Sequence, residues 1–358
     1  MGETRAGIQR GYTQHREVPE EAHETAPKTV EIKVGAELTD SNGNKYEILE
    51  KLGQGGLGSV FKVKDKRLDQ VRALKVLNTK ERAESNSVKR FKREIHLLGQ
   101  MNNPFILTAY DVAEFEVEGE KVIGLITDYV KGDSLAKNIK ERGRIFPNRA
   151  VSFASEIAIA LGSLEEANVV HRDIKPDNVL IKKLSDGTEM ALLADFGVAA
   201  LTEEARVDVF RNAPEDANVE WAEAITQKGN VVGTLQYMAP EQFKRNTPDH
   251  RSDLYSFGMT LYAMATGTRP FNAKSMSDII ISAQMDIPPS FKERGVEDVP
   301  EWFEDIVMKL LEKKPNDRFQ TAAEVYRALR EGVEKDYPEM LNEIPFIWNV
   351  FPNPKPKT

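Results

Sequence analysis

Gly53-Gln54-Gly55-Gly56-Leu57-Gly58-Ser59-Val60 places three glycines at G-x-G-x-x-G spacing between two strand-like runs. Glycine lets backbone approach phosphate oxygens and take positive φ. Taken alone the pattern fits an ordinary glycine-rich hairpin equally well. A strand rather than a helix follows it, so it is not the dinucleotide fingerprint, and no Gly-Lys-Ser/Thr closes it as a Walker A loop. Lys75, in Val71-Arg72-Ala73-Leu74-Lys75-Val76, alternates with apolar neighbours and by itself reads as a strand lysine facing water. Glu94 changes that reading. It lies three residues after Phe91 and four before Leu98, so it points inward with an apolar helical stripe and needs a cationic partner. The densest chemistry lies in Val169-Val170-His171-Arg172-Asp173-Ile174-Lys175-Pro176-Asp177-Asn178-Val179-Leu180. Asp195-Phe196-Gly197 begins seventeen residues beyond Asn178, and Ala239-Pro240-Glu241 comes later. Chance supplies one such segment, but hardly all of them in this order and spacing.

The elements that must hold these residues divide the chain. Residues 1–30 are polar, mixed in charge and non-periodic, and read as a flexible arm. From Thr29, Val30, Ile32 and Val34 alternate with polar residues, and Asn42-Gly43 turns the chain into a second run at 46–49. Further strand-like runs cover 59–64, 73–77, 107–116 and 121–129. One helix interrupts them. It begins near the capping residues Ser85 and Ser87, ends before Asn102-Asn103-Pro104, and buries Val88, Phe91, Ile95 and Leu98. Beyond about residue 133 the pattern turns helical, with one helix at 148–167 and an apolar, buried one at 253–266. Strands followed by helices predict an α+β molecule with a small β-lobe and a larger α-lobe. The expected divisions are an arm at 1–30, lobes at 31–130 and 131–332, and a loose tail at 333–358, where Phe346, Ile347, Trp348 and Phe351 are apolar enough to dock.

Composition limits the partners. The 358 residues are 40% apolar and 30% charged, enough for a two-lobed domain of roughly 250–300 residues with extensions. No run approaches the about 18 apolar residues of a membrane span, and the first five residues lack the apolar core of a secretory signal. The absence of cysteine excludes disulfides, thiolate metal sites and cysteine nucleophiles, and fits a reducing, cytoplasmic setting. A formal charge of −8 argues against nucleic acid as a partner, but not against a nucleotide held by local amides, lysines and a cation.

Over roughly residues 44–331 the chain resembles the eukaryotic-type protein kinases. The segments Lys51–Val60 and Gly233–Glu241 are similar to those of bacterial Ser/Thr kinases. The resemblance implies a bilobal kinase fold: an antiparallel β-rich N-lobe with one helix, and a helical C-lobe. It implies ATP and Mg2+ as cofactors and protein serines or threonines as substrates, with a dimer as the arrangement for autophosphorylation in trans. Transfer of a γ-phosphoryl group needs in-line positioning and charge neutralisation more than covalent help. Gly53, Gly55 and Gly58 would cover the phosphates, and Lys75, oriented by Glu94, would hold the α- and β-phosphates. Asp195 and Asn178 offer hard oxygens to Mg2+. Asp173 would take the proton of the attacking hydroxyl, and Lys175 would steady the transferring group. His171 and Phe196 are implied as packing residues.

Adenine would lie between Val60 and Ala73 above and Leu180 below, its edge met by the backbone from Asp128 to Val130, with Thr127 as gatekeeper. Either Asp133 or Ser134 would meet the ribose. Lys175 and Thr234 resemble the Ser/Thr branch. Asp253 would anchor the catalytic loop, and Glu241 would pair with Arg318. Ser134 and Ala263 stand where relatives selecting upstream arginine carry glutamate, which leaves Asp177 as the remaining acid and implies no strong demand for arginine.

One departure from the family and one feature shared with it bear on regulation. The stretch 202–229 is long for the family, with Val219, Ala222 and Ile225 at helical spacing, and reads either as a surface insertion or as a helix blocking the substrate groove. Arg172 before Asp173 implies control by phosphate in this segment. Thr226 is the expected acceptor, and Arg90, one turn before Glu94, is the second donor. The rivals are a pseudokinase, which would keep the fold without transfer, and a small-molecule kinase. The first is disfavoured because Lys75, Asp173 and Asp195 are all present, the second by Ala239-Pro240-Glu241 and the helix carrying Asp253.

Overall fold

The computed structural model describes residues 31–343, apart from 56–57, 78–91, 93–94, 97, 100, 196–234, 244–247 and 274. Six strands form an antiparallel sheet: β1 (Glu37–Thr39), β2 (Lys45–Gly55), β3 (Gly58–Asp65), β4 (Gln70–Leu77), β5 (Ala109–Val117) and β6 (Glu120–Asp128), in the order β1-β2-β3-β4-β6-β5. Tight turns set the registers. Glu118 and Gly119 both take positive φ, the geometry that matches the twist of a two-residue hairpin between β5 and β6. Asp65 accepts the amides of Arg67 and Leu68 to close the β3–β4 turn.

Alternation along these strands separates two faces. Phe61, Val63, Leu74, Val76 and Ile126 enter one apolar cluster. Val60, Lys62, Ala73, Lys75, Leu125 and Thr127 share the opposite face, because Val60 pairs with Lys75, Lys62 with Ala73, Lys75 with Leu125 and Ala73 with Thr127. Lys75 therefore lies on the face that turns toward the second sheet.

A three-stranded antiparallel sheet, β7 (Gly132–Ser134), β8 (Val179–Lys183) and β9 (Glu189–Leu193), follows. The helices are α1 (Leu135–Arg142), α2 (Pro147–Glu166), α3 (His250–Thr266), α4 (Met276–Met285), α5 (Glu301–Leu310), α6 (Ala322–Asp336) and the short α7 (Met340–Glu343). Ser134 caps α1 by accepting the amide of Lys137, and Asp249 caps α3 by accepting that of Arg251. Both helices end on a positive-φ glycine, Gly143 and Gly267. These two caps meet so closely that a Cβ on Gly267 would lie 1.9 Å from the Gly143 carbonyl oxygen. Helices α2 and α3 are buried along almost their whole length, and one apolar cluster runs from Leu77 and Leu125 through both to α6. Among the described residues no helix is long and apolar enough to cross a membrane.

Three expectations shift. The alternation at 30–34 is not a strand where it is described. Lys33 and Ala36 close a turn, Gly35 takes φ 87°, and β1 begins only at Glu37. The run expected from 107 starts as a strand at Ala109, because Leu107 and Phe105 instead exchange backbone bonds with Leu193 of β9. Order also continues past Gly332, which sits inside α6, packed so tightly on Trp302 that a Cβ would come within 2.3 Å of the indole. Of the helix expected between 85 and 101, Lys92, Ile95, His96, Leu98 and Gly99 are helical, with Ile95 and Leu98 buried as expected. The insertion at 202–229 and the apolar tail residues from Phe346 to Phe351 lie outside the described residues.

Candidate active site

The loop 171–178 crosses between α2 and β8, and α3 holds its backbone from below. Asp253, 2% exposed, accepts the amides of His171 at 2.7 Å and Arg172 at 2.8 Å. These bonds hold Arg172 in a left-handed backbone conformation, φ 68°, which a branched or bulky side chain adopts only when its surroundings impose it. The His171 ring completes the brace. Its Nδ1 accepts the amide of Asp173, so Nε2 carries the proton and donates to the Ala194 carbonyl at 3.0 Å. His171 thus packs and braces the loop, in keeping with what the resemblance implies.

At the loop's centre Asp173 is 6% exposed and encircled. Lys175 Nζ reaches its two carboxylate oxygens at 3.0 and 2.9 Å. Asn178 Nδ2 donates to Oδ2 at 3.0 Å and to the Asp173 carbonyl at 2.7 Å. With its amide nitrogen so engaged, Asn178 keeps Oδ1 as its remaining polar atom. The Asn178 carbonyl accepts the amide of Ala194 at 2.8 Å, which ties this loop to the one carrying Asp195.

Asp195 also has a left-handed backbone, φ 65°, and its Oδ2 lies 2.8 Å from Lys75 Nζ. Glu94, the expected partner of Lys75, lies outside the described residues, so the described partner is Asp195. That contact joins positions 120 residues apart, and no local signal in the sequence announces it. The contact of Lys175 with both carboxylate oxygens of Asp173 likewise has no local signal in the sequence.

The remaining nucleotide-facing candidates gather around these two loops. Val60 and Ala73 lie on the Lys75 face of the large sheet, and Leu180 lies on β8, opposite Ser134 of β7. Thr127 is buried at the end of β6. The Asp128 carboxylate accepts from Arg72 at 2.8 Å and from the Tyr110 hydroxyl at 2.8 Å, while its amide bonds Thr108, so its side chain serves the scaffold. Val130 follows with an N–H and a C=O that make no hydrogen bond among the described residues, as a base edge would require. Both ribose candidates are engaged: Asp133 with Lys137 at 2.8 Å, and Ser134 as the cap of α1.

Gly53 and Gly55 lie in β2 and Gly58 in β3, with Gly55 paired to Gly58. Open space surrounds the position a Cβ would take on Gly53. On Gly58, at φ 149°, it would fall 2.0 Å from the Val76 carbonyl oxygen. Gly58 is therefore required by strand packing in addition to any role toward phosphate. Arg90 and Thr226 lie outside the described residues, as do Phe196 and Thr234.

Among the described residues no group of three or more His, Asp or Glu side chains forms a protein-only cation cage. The pair Asn178 and Asp195 supplies an amide and a carboxylate oxygen. That small, hard donor set fits Mg2+, which keeps several waters and shares phosphate oxygens instead of demanding a full cage.

Farther below, Arg318, with a fully buried side chain, grips Glu241 through two 2.8 Å bonds, and Ser252 adds a third at 2.7 Å. Burial pushes the Glu241 carboxyl up, but these bonds and the Arg318 charge outweigh it and hold the group below the usual range.

Comparison with known proteins agrees with this geometry. The family model described as the protein kinase domain matches residues 46–328. A probable serine/threonine-protein kinase of Clostridium perfringens is 31% identical over 296 residues, covering 82% of this chain and 39% of its own length. The serine/threonine-protein kinase PknB of Mycolicibacterium smegmatis is 32% identical over 303 residues, covering 84% and 45%. The chain thus spans less than half the length of these curated relatives. Among solved structures, the PknI kinase domain of Mycobacterium tuberculosis, as a double mutant, superposes with a TM-score of 0.61 at 22% identity, covering 84% of this chain and 98% of that one.

Proposed function

Because the chain belongs to the protein kinase domain family, we propose that it transfers the γ-phosphoryl group of ATP to serine and threonine hydroxyls of proteins, its own chain included. The observation that carries the reading is the buried Asp173 carboxylate, flanked by Lys175 and Asn178 and braced against the loop that brings Asp195 to Lys75.

Asp173 takes the proton of the attacking hydroxyl as that oxygen bonds the γ-phosphorus, and the bond from phosphorus to the β–γ bridging oxygen breaks to release ADP. Lys175, already within 3 Å of Asp173, supplies positive charge beside the transferring group. Lys75 serves the α- and β-phosphates. Asn178 Oδ1 and Asp195 would hold Mg2+, which when bound neutralises charge on the phosphates. Val60, Ala73 and Leu180 enclose the adenine, and Val130 offers its backbone to the base edge. Thr226 is the proposed regulatory phosphosite, read by Arg172 and Arg90, and a dimer is the proposed arrangement for phosphorylation in trans.

The test is to incubate the purified chain with labelled ATP and Mg2+, then locate phosphate by mass spectrometry. Label on serine or threonine supports the proposal. Nucleotide binding without transfer to any protein under conditions that support a known kinase would instead make this a pseudokinase.

A further inference from the structure

The end of β6 runs into the segment that would meet a base edge, and side chains from three other strands hold it. Arg72 pairs with Asp128 in the register of β4 and β6. Alternation puts both on the face of Leu74 and Ile126, opposite that of Ala73, Lys75 and Thr127. Arg72 therefore lies across the sheet from a base resting against Ala73. Its side chain is 12% exposed. Nη1 donates to Asp128 Oδ1 at 2.8 Å, and Nη2 donates to Gln70.

Tyr110 closes the cluster. It is the extra residue of a bulge in β5, where Ala109 pairs with Thr127 and Asp111 already pairs with Ile126. A bulge re-aims the side chain it carries. Here the Arg72 guanidinium carbon stands 3.8 Å from the centre of the Tyr110 ring, and the Tyr110 hydroxyl donates to the same Asp128 oxygen at 2.8 Å. Arg72 is thus stacked on a ring and bonded to two acceptors at once, which a flat guanidinium does and an ammonium does not. The next residue, Tyr129, is held by Lys62, on the Lys75 face, with Nζ 4.6 Å from its ring centre. Only Tyr129, Val130 and Lys131 separate Asp128 from β7, so fixing the first two residues of this segment fixes where Val130 lies.

We propose that Arg72 is a positioning residue for nucleotide binding: through Asp128 and Tyr110 it holds the segment 128–130 so that Val130 presents its backbone to the base. It sets affinity for the adenosine half of ATP and leaves affinity for the phosphates alone. The inference rests on the nucleotide-binding part of the kinase reading above. The physical reason is preorganisation. A backbone edge already held in its binding position loses little freedom when a base arrives, whereas a loose one must be ordered at the expense of affinity. The phosphates meet other groups, Lys75 and the cation ligands, which lie on the far face of the sheet and on the loops below it.

Two fragments of ATP separate the halves: adenosine, and inorganic tripolyphosphate with Mg2+, each titrated calorimetrically into the full chain. R72M is expected to bind adenosine about tenfold more weakly than the wild type, with tripolyphosphate affinity unchanged. R72K, which keeps the charge and loses the stack, is expected to fall between them. D128N is expected to weaken adenosine as R72M does, and R72M with D128N no further, because both act through one contact. In turnover, R72M is expected to raise KM for ATP and to keep kcat at saturating ATP. Equal adenosine affinity in the wild type, R72M and D128N overturns the proposal and leaves the kinase reading standing. So does an equal loss for adenosine and tripolyphosphate, which would show a general loosening of the sheet. Should R72M fail to fold, D128N and Y110F carry the same comparison, and unchanged adenosine affinity in both overturns the proposal. A selective loss of adenosine in a chain that transfers no phosphate supports the positioning role and overturns the kinase reading. A wild-type chain that binds neither adenosine nor ATP overturns both.

Discussion

Asp173 is the proposed base, and bonds donated by Lys175 and Asn178 fix its carboxylate. Asp173→Asn removes the proposed proton acceptor with little change of volume. The expected result is a kcat lower by about 10²–10⁴-fold with nucleotide affinity largely kept, read by single-turnover transfer and nucleotide titration. Asp195→Asn is expected to differ in kind. It removes the ion pair with Lys75 and a hard oxygen, so Mg2+-dependent nucleotide binding itself should weaken. If the two variants behaved identically in binding, the division between base and metal-side carboxylate would be wrong.

Among the elements, α3 positions the reacting loop and α2 supports the strand leading to Asp195. Asp253→Asn turns a double acceptor into a group with one acceptor and one amide that opposes a backbone N–H. A loss of about 2–4 kcal/mol of stability is expected by thermal or urea unfolding, with activity falling further because His171 and Arg172 lose their anchor.

Helix α2 carries a second buried acid. Glu156, 2% exposed, accepts the amide of Ala191 in β9. Burial pushes its pKa up to about 8, against the opposing pull of that amide, Ser152 and Arg149. The folded protein therefore retains a proton that the unfolded chain loses near the ordinary value of 4.5. Its stabilisation is complete below that value and declines as pH rises toward about 8. Melting curves between pH 5 and 8 are expected to show a downward slope that Glu156→Gln flattens. An equal slope in both proteins would remove Glu156 as its source.

At the scale of the molecule, distant segments close the helical half. Arg318 lies 77 residues from Glu241, and its side chain has no exposure. Replacing Glu241 with alanine leaves that guanidinium buried with its main partner gone, an expected cost of about 3–5 kcal/mol, whereas Glu241→Ala with Arg318→Met is expected to recover part of it. The lowered pKa of Glu241 adds a pH signature: its stabilisation is present above the ordinary carboxylate range and lost as acid protonates it. The far end of α6 contributes as well. Val333 is fully buried, and Asp336 accepts the Trp302 indole N–H at 2.7 Å. A chain stopped at Gly332 is expected to melt several degrees lower than one stopped at Asp336, and equal melting would show that α6 ends energetically at Gly332.

Period and spacing carried much of this into view from the sequence alone. Strand-like runs located β3, β4 and β6, and a run apolar almost all round located α3, because side-chain direction in regular elements follows from local geometry; the roles expected of the loop His171–Asn178 came from the resemblance. The Asp253 anchor and the Glu241–Arg318 pair were also legible, through resemblance in motif and order. Other features depended on where the chain returns in space. Lys75 meets Asp195 across 120 positions, the 107–116 run loses its first residues to β9, and Gly332 is an interior packing residue instead of a boundary. Arg269 and Arg294 line one groove from segments 25 residues apart that no periodicity links. Local conformational preference acts over a few residues, so it specifies elements. Contacts between loops are decided only when the buried faces of those elements pack and fix the distances among them.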